Sequence, residues 1–333
     1  MLRLTLDKIG LSFTGQLTFN EMFSNVKRAR ELGFSSIWLA EHYFYRDAFA
    51  SIAALGTSFN GLTFGTGIVS PYTRNLGLLA MGAQTISEIT GDRFILGLGT
   101  NSRFWKVLGI SDPHPLHSIR ESVTLLRKLL SGGTVRIPGA GGEEQKGADA
   151  KLGFGSGAVP IYIGAIGERM LRLSAEIADG VVLSAGSSPE YAGEAVAALR
   201  RHLKESGRSD APNFEMASYI ISLSDEEPKT RGQAKERLVG LLSLEGREKM
   251  LGSMKRDERV QKIREVLKSG GTAQQASRHV GDDMLDHVSV SGPSGRRREK
   301  VEEFRRAGVS LPILSPVGST RDYGPLLESV VVR

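Results

Sequence analysis

Residues 38–75, which begin with WLAEHYFYRD and end with LTFGTGIVSPYTRN, decide the fold class of this 333-residue chain. The run Ser36–Ala40 predicts a buried strand that delivers Glu41 and His42 at its C-terminal tip. The next strand, Leu62–Val69, ends in a second polar loop. Polar and ionisable residues at successive strand ends are how a parallel α/β barrel builds an active site. The stretch therefore predicts an enzyme.

Short apolar runs rich in β-branched residues alternate with segments of helical period along most of the chain, which is the pattern of βα units. The eight predicted strands are Ile9–Phe13, Ser36–Ala40, Leu62–Val69, Arg93–Leu98, Pro160–Ile163, Gly180–Leu183, Phe214–Leu223 and Leu311–Ser315. They are apolar on both faces and separated by connections long enough for helices, as in a closed parallel sheet. We predict an α/β fold, a (β/α)8 TIM barrel that occupies residues 1–333 as a single domain. A doubly wound open sheet is the rival architecture.

Two long segments interrupt the alternation of strands and helices. Residues 131–158 are rich in glycine and lack a period, which predicts a loop or flap at the rim of the barrel. Residues 225–286 are charged and strongly helical, and we assign them to an insertion before the last strand.

Composition excludes several classes of function. The formal charge is +6, but the basic residues are spread among 37 acidic ones, so we expect no nucleic acid partner. The absence of cysteine excludes disulfides, thiolate metal sites and cysteine nucleophiles. His114 and His117 lack an obvious third ligand, and we expect no metal site. The N-terminus lacks the apolar core of a secretory peptide, and we expect a cytoplasmic protein with no membrane partner.

The polar residues at the second and third strand ends are the first candidates for chemistry. His42 can exchange a proton near neutral pH, and Glu41 can orient or tune it. Gly67 lets a flat ring approach the backbone closely, and Arg74 can hold an anion. The alternatives are a packed histidine ring beside a rim carboxylate, and a purely structural turn.

Two further strand ends are rich in glycine. The turn GLGTN, residues 97–101, permits close approach of a ligand. Ser102 and Arg103 follow it and can serve a substrate or a phosphate, although a surface turn explains them equally well. The segment IYIGAIGERML, residues 161–171, passes from a strand into a helix whose first amides form an anion site, with phosphate the usual guest. Ordinary tight packing between strand and helix is the alternative.

Taken together, WLAEHY, GTGIVSPYTRN, RFILGLGTN, VPIYIGAIGE, VSVSGPSG and SPVG resemble the bacterial-luciferase-like superfamily. Within it the chain is most similar to the methylenetetrahydromethanopterin reductases that use the deazaflavin coenzyme F420. The resemblance covers nearly the whole chain. It implies hydride transfer between C5 of the deazaflavin and a carbon of a small-molecule substrate, such as a pterin, and assembly into a homodimer or homotetramer.

The resemblance also implies roles for individual residues. Glu41 and His42 correspond to an Asp-His pair beside the deazaflavin ring, and we expect them to be catalytic. Gly67 and Ile68 correspond to a bulge, often with a non-proline cis peptide, behind the ring. The expected cofactor-binding residues are Gly67, Ile68, Ser70, Thr100, Asn101, Ser102, Gly164, Ala165, Gly167, Glu168, Met170 and Leu171.

Two departures from the reductases concern the substrate. Ser12 stands where those enzymes have a glutamate, and Ser102 where they have an aspartate. The expected substrate contacts are Ser12, Arg74 and Arg103. Two other functions stay open: a monooxygenase of the same fold that uses FMN in place of coenzyme F420, and a non-catalytic relative that binds a flavin-like ligand.

Overall fold

A computed structural model describes residues 8–112, 114–137, 148–209, 213–244 and 246–331. Its strands are β1 (Gly10–Phe13), β2 (Ser36–Leu39), β3 (Thr63–Thr66), β4 (Phe94–Leu98), β5 (Val135–Ile137), β6 (Ala148–Ala150), β7 (Ile161–Ala165), β8 (Gly180–Leu183), β9 (Glu215–Leu223), β10 (Ser289–Val290) and β11 (Leu311–Val317).

Thirteen α-helices lie within the described residues. They are α1 (Phe19–Glu31), α2 (Ala48–Gly56), α3 (Leu76–Thr90), α4 (Trp105–Leu108), α5 (Pro115–Leu130), α6 (Glu168–Ile177), α7 (Pro189–Glu205), α8 (Pro228–Leu242), α9 (Glu258–Lys268), α10 (Ala273–Ala276), α11 (Asp282–Val288), α12 (Ser294–Arg306) and α13 (Gly324–Val330). Short 3-10 helices cover Ser102–Phe104, Arg247–Met254 and Ser277–His279. None of the helices in the described ranges is long and apolar enough to cross a membrane.

Eight parallel strands close into a barrel in the order β1, β2, β3, β4, β7, β8, β9 and β11, and β11 pairs again with β1. The pairings of β8 with β9 and of β9 with β11 close the sheet, so the predicted TIM barrel is confirmed and the open sheet is wrong. All eight predicted strands lie where the sequence placed them, within a few residues at their ends. Because the strands are parallel, their C-terminal ends meet at one mouth.

Local sequence explains where the helices near this mouth begin. The Asp47 side chain accepts a hydrogen bond from the Ala50 amide at 2.8 Å and starts α2. Asn75 starts α3 in the same way, through a bond from the Gly77 amide at 2.8 Å. Such caps satisfy amides that have no partner within the helix. They fix the polar loops after β2 and β3 at defined positions.

The barrel interior is filled by side chains below the mouth. Trp38 is fully buried, and its ring centroid lies 6.0 Å from that of Tyr162. Tyr219 and Ile313 belong to the same interior cluster. A second, larger cluster lies between the strands and the surrounding helices. The barrel is therefore a packed core that supports a site at its mouth.

The two interrupting segments differ in their outcome. In the glycine-rich segment, which was expected to lack regular structure, β5 and β6 pair as an antiparallel two-stranded sheet. Residues 138–147 of that segment lie outside the described residues. Most of residues 228–288 form helices, as expected, and β10 then adds two residues alongside β9. The single-domain assignment stays a prediction.

Candidate active site

A cavity of about 430 Å³ opens at the C-terminal mouth of the barrel. Twelve of the residues predicted from the sequence line it: Ser12, Glu41, His42, Gly67, Ile68, Thr100, Asn101, Ser102, Gly164, Ala165, Gly167 and Met170. The lining does not include Ser70, Arg74, Glu168 or Leu171. The side chain of Arg103 lies outside the described part of the structure.

Glu41 projects from the end of β2 and is held on one side only. Arg74 Nε donates to Glu41 Oε1 at 2.6 Å, and the same guanidinium pairs with Asp47. Glu41 Oε2 is buried and has no hydrogen-bond partner among the described residues. One carboxylate oxygen is thus fixed in the wall, and the other is left for a bound molecule.

Arg74 serves this carboxylate and does not reach the cavity lining, where it was expected to contact substrate. Its guanidinium also lies over the Phe49 ring, 4.9 Å from the centroid. Burial alone would lower the pKa of Arg74, but the hydrogen bonds to Glu41 and Asp47 outweigh it and raise that pKa. Arg74 therefore stays charged and holds Glu41 in place.

His42 lies next to Glu41 and is half-buried. Its ring centroid is 5.9 Å from that of Phe104, in the short helix after β4. From the same loop, Asn101 Nδ2 donates to the Glu41 carbonyl oxygen at 3.4 Å. Asn101 has a left-handed backbone with φ 50°, a conformation that asparagine tolerates better than most residues. The tip of β2 is thereby fastened to the loop after β4.

The segment after β3 forms the floor of the cavity. The peptide bond between Gly67 and Ile68 is cis, as the resemblance implied. An added Cβ on Gly67 would lie 1.6 Å from Tyr219 Oη, so a side chain there would force the tyrosine or the floor to move. The Ile68 side chain lies against Gly99 and Gly164, where added Cβ atoms would come within 2.9 and 3.2 Å of it. Glycines at the ends of β3, β4 and β7 thus leave a shallow bed, formed by Gly67, Ile68, Gly99 and Gly164, with few side chains.

Ser70 has a supporting position. It is 1% exposed, and its hydroxyl donates to the Thr100 carbonyl oxygen at 3.2 Å. It joins the loop after β3 to the loop after β4, both of which border the cavity. Its direct contact with a cofactor stays a prediction.

The start of α6 forms one end of the cavity. The amides of Met170 and Leu171 both donate to the Gly167 carbonyl oxygen at 2.9 Å, which corrects the expectation that these two amides are open. Helix geometry leaves the earlier amides, of residues 167–169, without partners within the helix. Lys249 Nζ lies 3.5 Å from the position of a Cβ on Gly167. Open amides and an ammonium group together favour an anion.

The Glu168 carboxylate is paired away from this end of the cavity. Its Oε1 lies 2.8 Å from His202 Nε2 and accepts from Arg201 Nη2 at 2.5 Å. The hydrogen bond with His202 is the main reason that the pKa of Glu168 lies below its usual value. These two partners offset a negative charge that would otherwise oppose an anion at α6.

Sequence reasoning missed several cavity residues, among them Tyr219, Arg237 and Lys249. Tyr219 comes from β9, and burial raises the pKa of its hydroxyl. Arg237, on α8, donates to Ser315 Oγ at 2.6 Å and lies at the end of β11. Arg237 and Lys249 belong to the helical insertion, which therefore contributes to the site. Because β9 is buried on both faces, its sequence shows no alternation that could have identified Tyr219.

This arrangement can hold a planar molecule with an anionic group. The glycine bed accepts a flat ring, the start of α6 with Lys249 accepts an anion, and Glu41 with His42 can handle a proton. Across the described ranges, no group of three or more His, Asp or Glu residues is placed to hold a metal ion.

The model of the luciferase-like monooxygenase family matches residues 4–311. A 5,10-methylenetetrahydromethanopterin reductase of Archaeoglobus fulgidus is 32% identical over 93% of this chain and 94% of its own. The enzyme of the same name from Methanolobus tindarius is 30% identical over 89% of this chain and 90% of its own.

Solved structures agree on the fold. The coenzyme F420 dependent tetrahydromethanopterin reductase of Methanopyrus kandleri superposes with a TM-score of 0.80 at 24% identity, and 98% of each chain is covered. At this identity the likeness supports the fold alone.

Proposed function

The chain belongs to the luciferase-like monooxygenase family, and from this premise we propose that it is a coenzyme F420-dependent oxidoreductase that reduces a pterin-bound one-carbon unit. The observation that carries the proposal is the shallow bed around Gly67 and Ile68, together with the unpartnered carboxylate oxygen of Glu41 in the same cavity. The similarity of the whole chain to 5,10-methylenetetrahydromethanopterin reductases supports it.

The cavity fits the two parts of this cofactor. Its ring would lie on Gly67 and Ile68, between the strand ends that carry Gly99 and Gly164. Its phosphate would lie at the start of α6, near Lys249. When bound, coenzyme F420 supplies a hydride from the C5 carbon of its deazaflavin ring. The packed barrel below and the loops after β3 and β4 around the bed would keep water from the ring.

Glu41 and His42 supply the proton handling of the reaction. Reduction adds a hydride to the methylene carbon and a proton to the nitrogen that is released when one C–N bond breaks. Arg74 fixes Glu41 Oε1, so a protonated Glu41 Oε2 would donate that proton to the bound substrate without moving the side chain. His42 is placed to exchange that proton with solvent, because it is half-buried at the cavity wall. Holding these groups in place is the protein's contribution to the rate.

We propose as substrate a methylene group carried by a pterin, whose carbon accepts the hydride and becomes a methyl group as one of its C–N bonds breaks and the released nitrogen takes up a proton. Ser12 and Ser102 line the cavity, and they offer hydroxyl groups where, by the resemblance, the reductases carry carboxylates. In this chain Glu41 is the one carboxylate among the described lining residues. The proton role therefore concentrates on Glu41.

A fluorescence titration of the purified protein with coenzyme F420, and in parallel with FMN, tests the cofactor. Saturable binding of the deazaflavin alone supports the proposal. Preference for FMN would assign the chain to the monooxygenases instead, and binding of neither would favour a non-catalytic relative. Oxidation of reduced coenzyme F420 in the presence of 5,10-methylenetetrahydromethanopterin then tests the substrate.

The oligomeric state and the cellular location belong to the same proposal. We expect a homodimer or homotetramer, as the family resemblance implies, and we expect it in the cytoplasm. Leu78 and Met81 on α3 are 61% and 48% exposed, and they offer apolar surface for self-association. Light scattering during size-exclusion chromatography measures the assembly, and a monomer at micromolar concentration would contradict this expectation.

A further inference from the structure

Tyr219 carries a hydroxyl group that the protein itself leaves without a partner. The residue points from β9 into the barrel and is 8% exposed. Its Oη is buried and has no hydrogen-bond partner among the described residues. It lies against Gly67, in the space that a Cβ of Gly67 would occupy. Tyr219 therefore borders the bed on which the proposed ring lies.

Three other tyrosines of the chain have hydroxyl groups that donate a hydrogen bond within the protein. Tyr43 donates to Thr73 Oγ1 at 2.7 Å, Tyr72 donates to Asp112 Oδ2 at 2.5 Å, and Tyr191 donates to the Ile166 carbonyl oxygen. Four other unpartnered buried side-chain atoms occur in the described residues, on Gln84, Arg93, Thr230 and Gln233, and none of these residues lines the cavity. Among the described residues, only Tyr219 and Glu41 have an unpartnered buried polar atom and also line the cavity.

The unpartnered hydroxyl is a disadvantage for the protein without a ligand. Burial raises the pKa of Tyr219, which nearby Arg237 only partly offsets, so the phenol stays protonated and remains a donor. A buried donor without an acceptor destabilises the folded state, and phenylalanine would fill the same space without that cost. A local feature that opposes stability at a binding site indicates a use in the bound state.

We propose that Tyr219 is a ligand-binding residue whose hydroxyl donates a hydrogen bond to an acceptor atom, a carbonyl oxygen or ring nitrogen, of the planar ring that lies on Gly67 and Ile68. The inference deepens the proposed function and rests on it. It assigns Tyr219 to recognition of the ring, whereas Glu41 exchanges a proton with the bound substrate. A hydrogen bond here would fix the rotation of the ring in its own plane and so place its reactive carbon.

Tyr219→Phe in the full chain tests the inference, because it removes the hydroxyl and keeps the ring. Tyr162→Phe is the matched control, since Tyr162 is a buried tyrosine of the same interior cluster that does not line the cavity. The measurements are the thermal midpoint without ligand, the dissociation constant for coenzyme F420, and the absorption spectrum of the bound deazaflavin. We expect Y219F to melt at or above the wild-type midpoint.

We also expect Y219F to bind the deazaflavin about three- to tenfold more weakly, as for loss of one hydrogen bond. The absorption band of the bound deazaflavin should shift relative to that in the wild-type protein, because the polarity at the ring edge has changed. Y162F should leave the affinity and the spectrum unchanged.

The outcomes separate this inference from the proposed function. Wild-type affinity and spectrum in Y219F would overturn the inference while leaving deazaflavin binding intact. Weaker binding together with a lower midpoint than wild type would also overturn it, because the hydroxyl would then serve the unliganded fold. Wild-type protein that binds only FMN would overturn the proposed function, and the FMN affinity of Y219F would then decide the role of Tyr219. Wild-type protein that binds neither coenzyme F420 nor FMN would overturn both the inference and the proposed function.

Discussion

Arg74 bridges Glu41 and Asp47, but of these two carboxylates only Glu41 lines the cavity. The two substitutions Glu41→Gln and Asp47→Asn therefore make a matched pair. Each substitution removes the negative charge of one carboxylate that pairs with Arg74 and keeps the shape of that side chain. Asparagine also caps a helix as well as aspartate does, so α2 should keep its start in D47N.

We expect E41Q to lower kcat with reduced coenzyme F420 and 5,10-methylenetetrahydromethanopterin by about 100-fold or more, as for loss of a general acid or base. Its affinity for the deazaflavin should change little. D47N should keep kcat within about threefold of wild type, because exposed charge pairs contribute little. Steady-state kinetics and a binding titration check both variants. Equal losses in the two variants would show that Glu41 acts only through Arg74.

Gly67 offers a second prediction at the scale of one residue. In Gly67→Ala the new Cβ would lie 1.6 Å from Tyr219 Oη, so the floor of the cavity or the tyrosine must move. We expect a loss of about 1–3 kcal/mol in the free energy of unfolding, as for other overpacked sites, together with loss of deazaflavin binding. Urea unfolding measures the first and titration the second.

Gly232→Ala is the control for this substitution. Gly232 lies in α8, and a Cβ there would meet nothing within 4 Å. Alanine favours a helix interior by about 1 kcal/mol over glycine, so G232A should be neutral or stabilising and bind as wild type. If G67A behaved like G232A, close packing of Tyr219 against Gly67 would be disproved.

At the scale of elements, the site combines the start of α6 with the 3-10 helix over Arg247–Met254. The first follows from sequence, because a strand that passes through glycines into a helix predicts open amides at a barrel mouth. The position of the 3-10 helix does not follow from sequence, because no periodic pattern in the insertion indicates which residues pack over the barrel mouth. Lys249 could be placed at α6 only once the path of the insertion was known.

Lys249→Gln tests this junction. We expect it to weaken binding of coenzyme F420 about tenfold, because a hydrogen bond to a charged group is lost, and to reduce the salt dependence of binding. A deazaflavin nucleoside without the phosphate should bind K249Q and wild type equally. Lys255→Gln, at an exposed lysine just after the same 3-10 helix, should match wild type with both ligands. Equal weakening of both ligands by K249Q would place Lys249 away from the phosphate.

At the scale of the whole molecule, the barrel was predictable because its strands are short, apolar and separated by helical segments. The strand ends that carry Glu41, His42 and Gly67 followed from the same alternation. Tyr219 was missed because β9 is buried on both faces, so its sequence does not indicate which residues point into the barrel. The pairing of β5 with β6 was missed because each strand has three residues within a glycine-rich segment.

The helices of the insertion are joined to one another by ion pairs, and this predicts a response of the whole fold to acid. Arg259, in α9, donates to both carboxylate oxygens of Asp283, in α11, at 2.8 and 2.7 Å. This hydrogen bonding lowers the pKa of Asp283 to about 2 from a usual 3.8. A carboxylate with a lowered pKa in the folded state stabilises that state above its usual pKa, and the contribution is lost as the pH falls through the lowered value.

We therefore expect the free energy of unfolding to decrease between about pH 4 and pH 2, and Asp283→Asn to flatten this part of the profile. Urea unfolding followed by circular dichroism at several pH values measures the slope. Because Asp283 is more than half exposed, its contribution should also shrink in about 1 M salt, where charges are screened within about 3 Å. If D283N kept the wild-type slope at low salt, the acid response would have to come from other carboxylates, and the link between α9 and α11 would not contribute to stability.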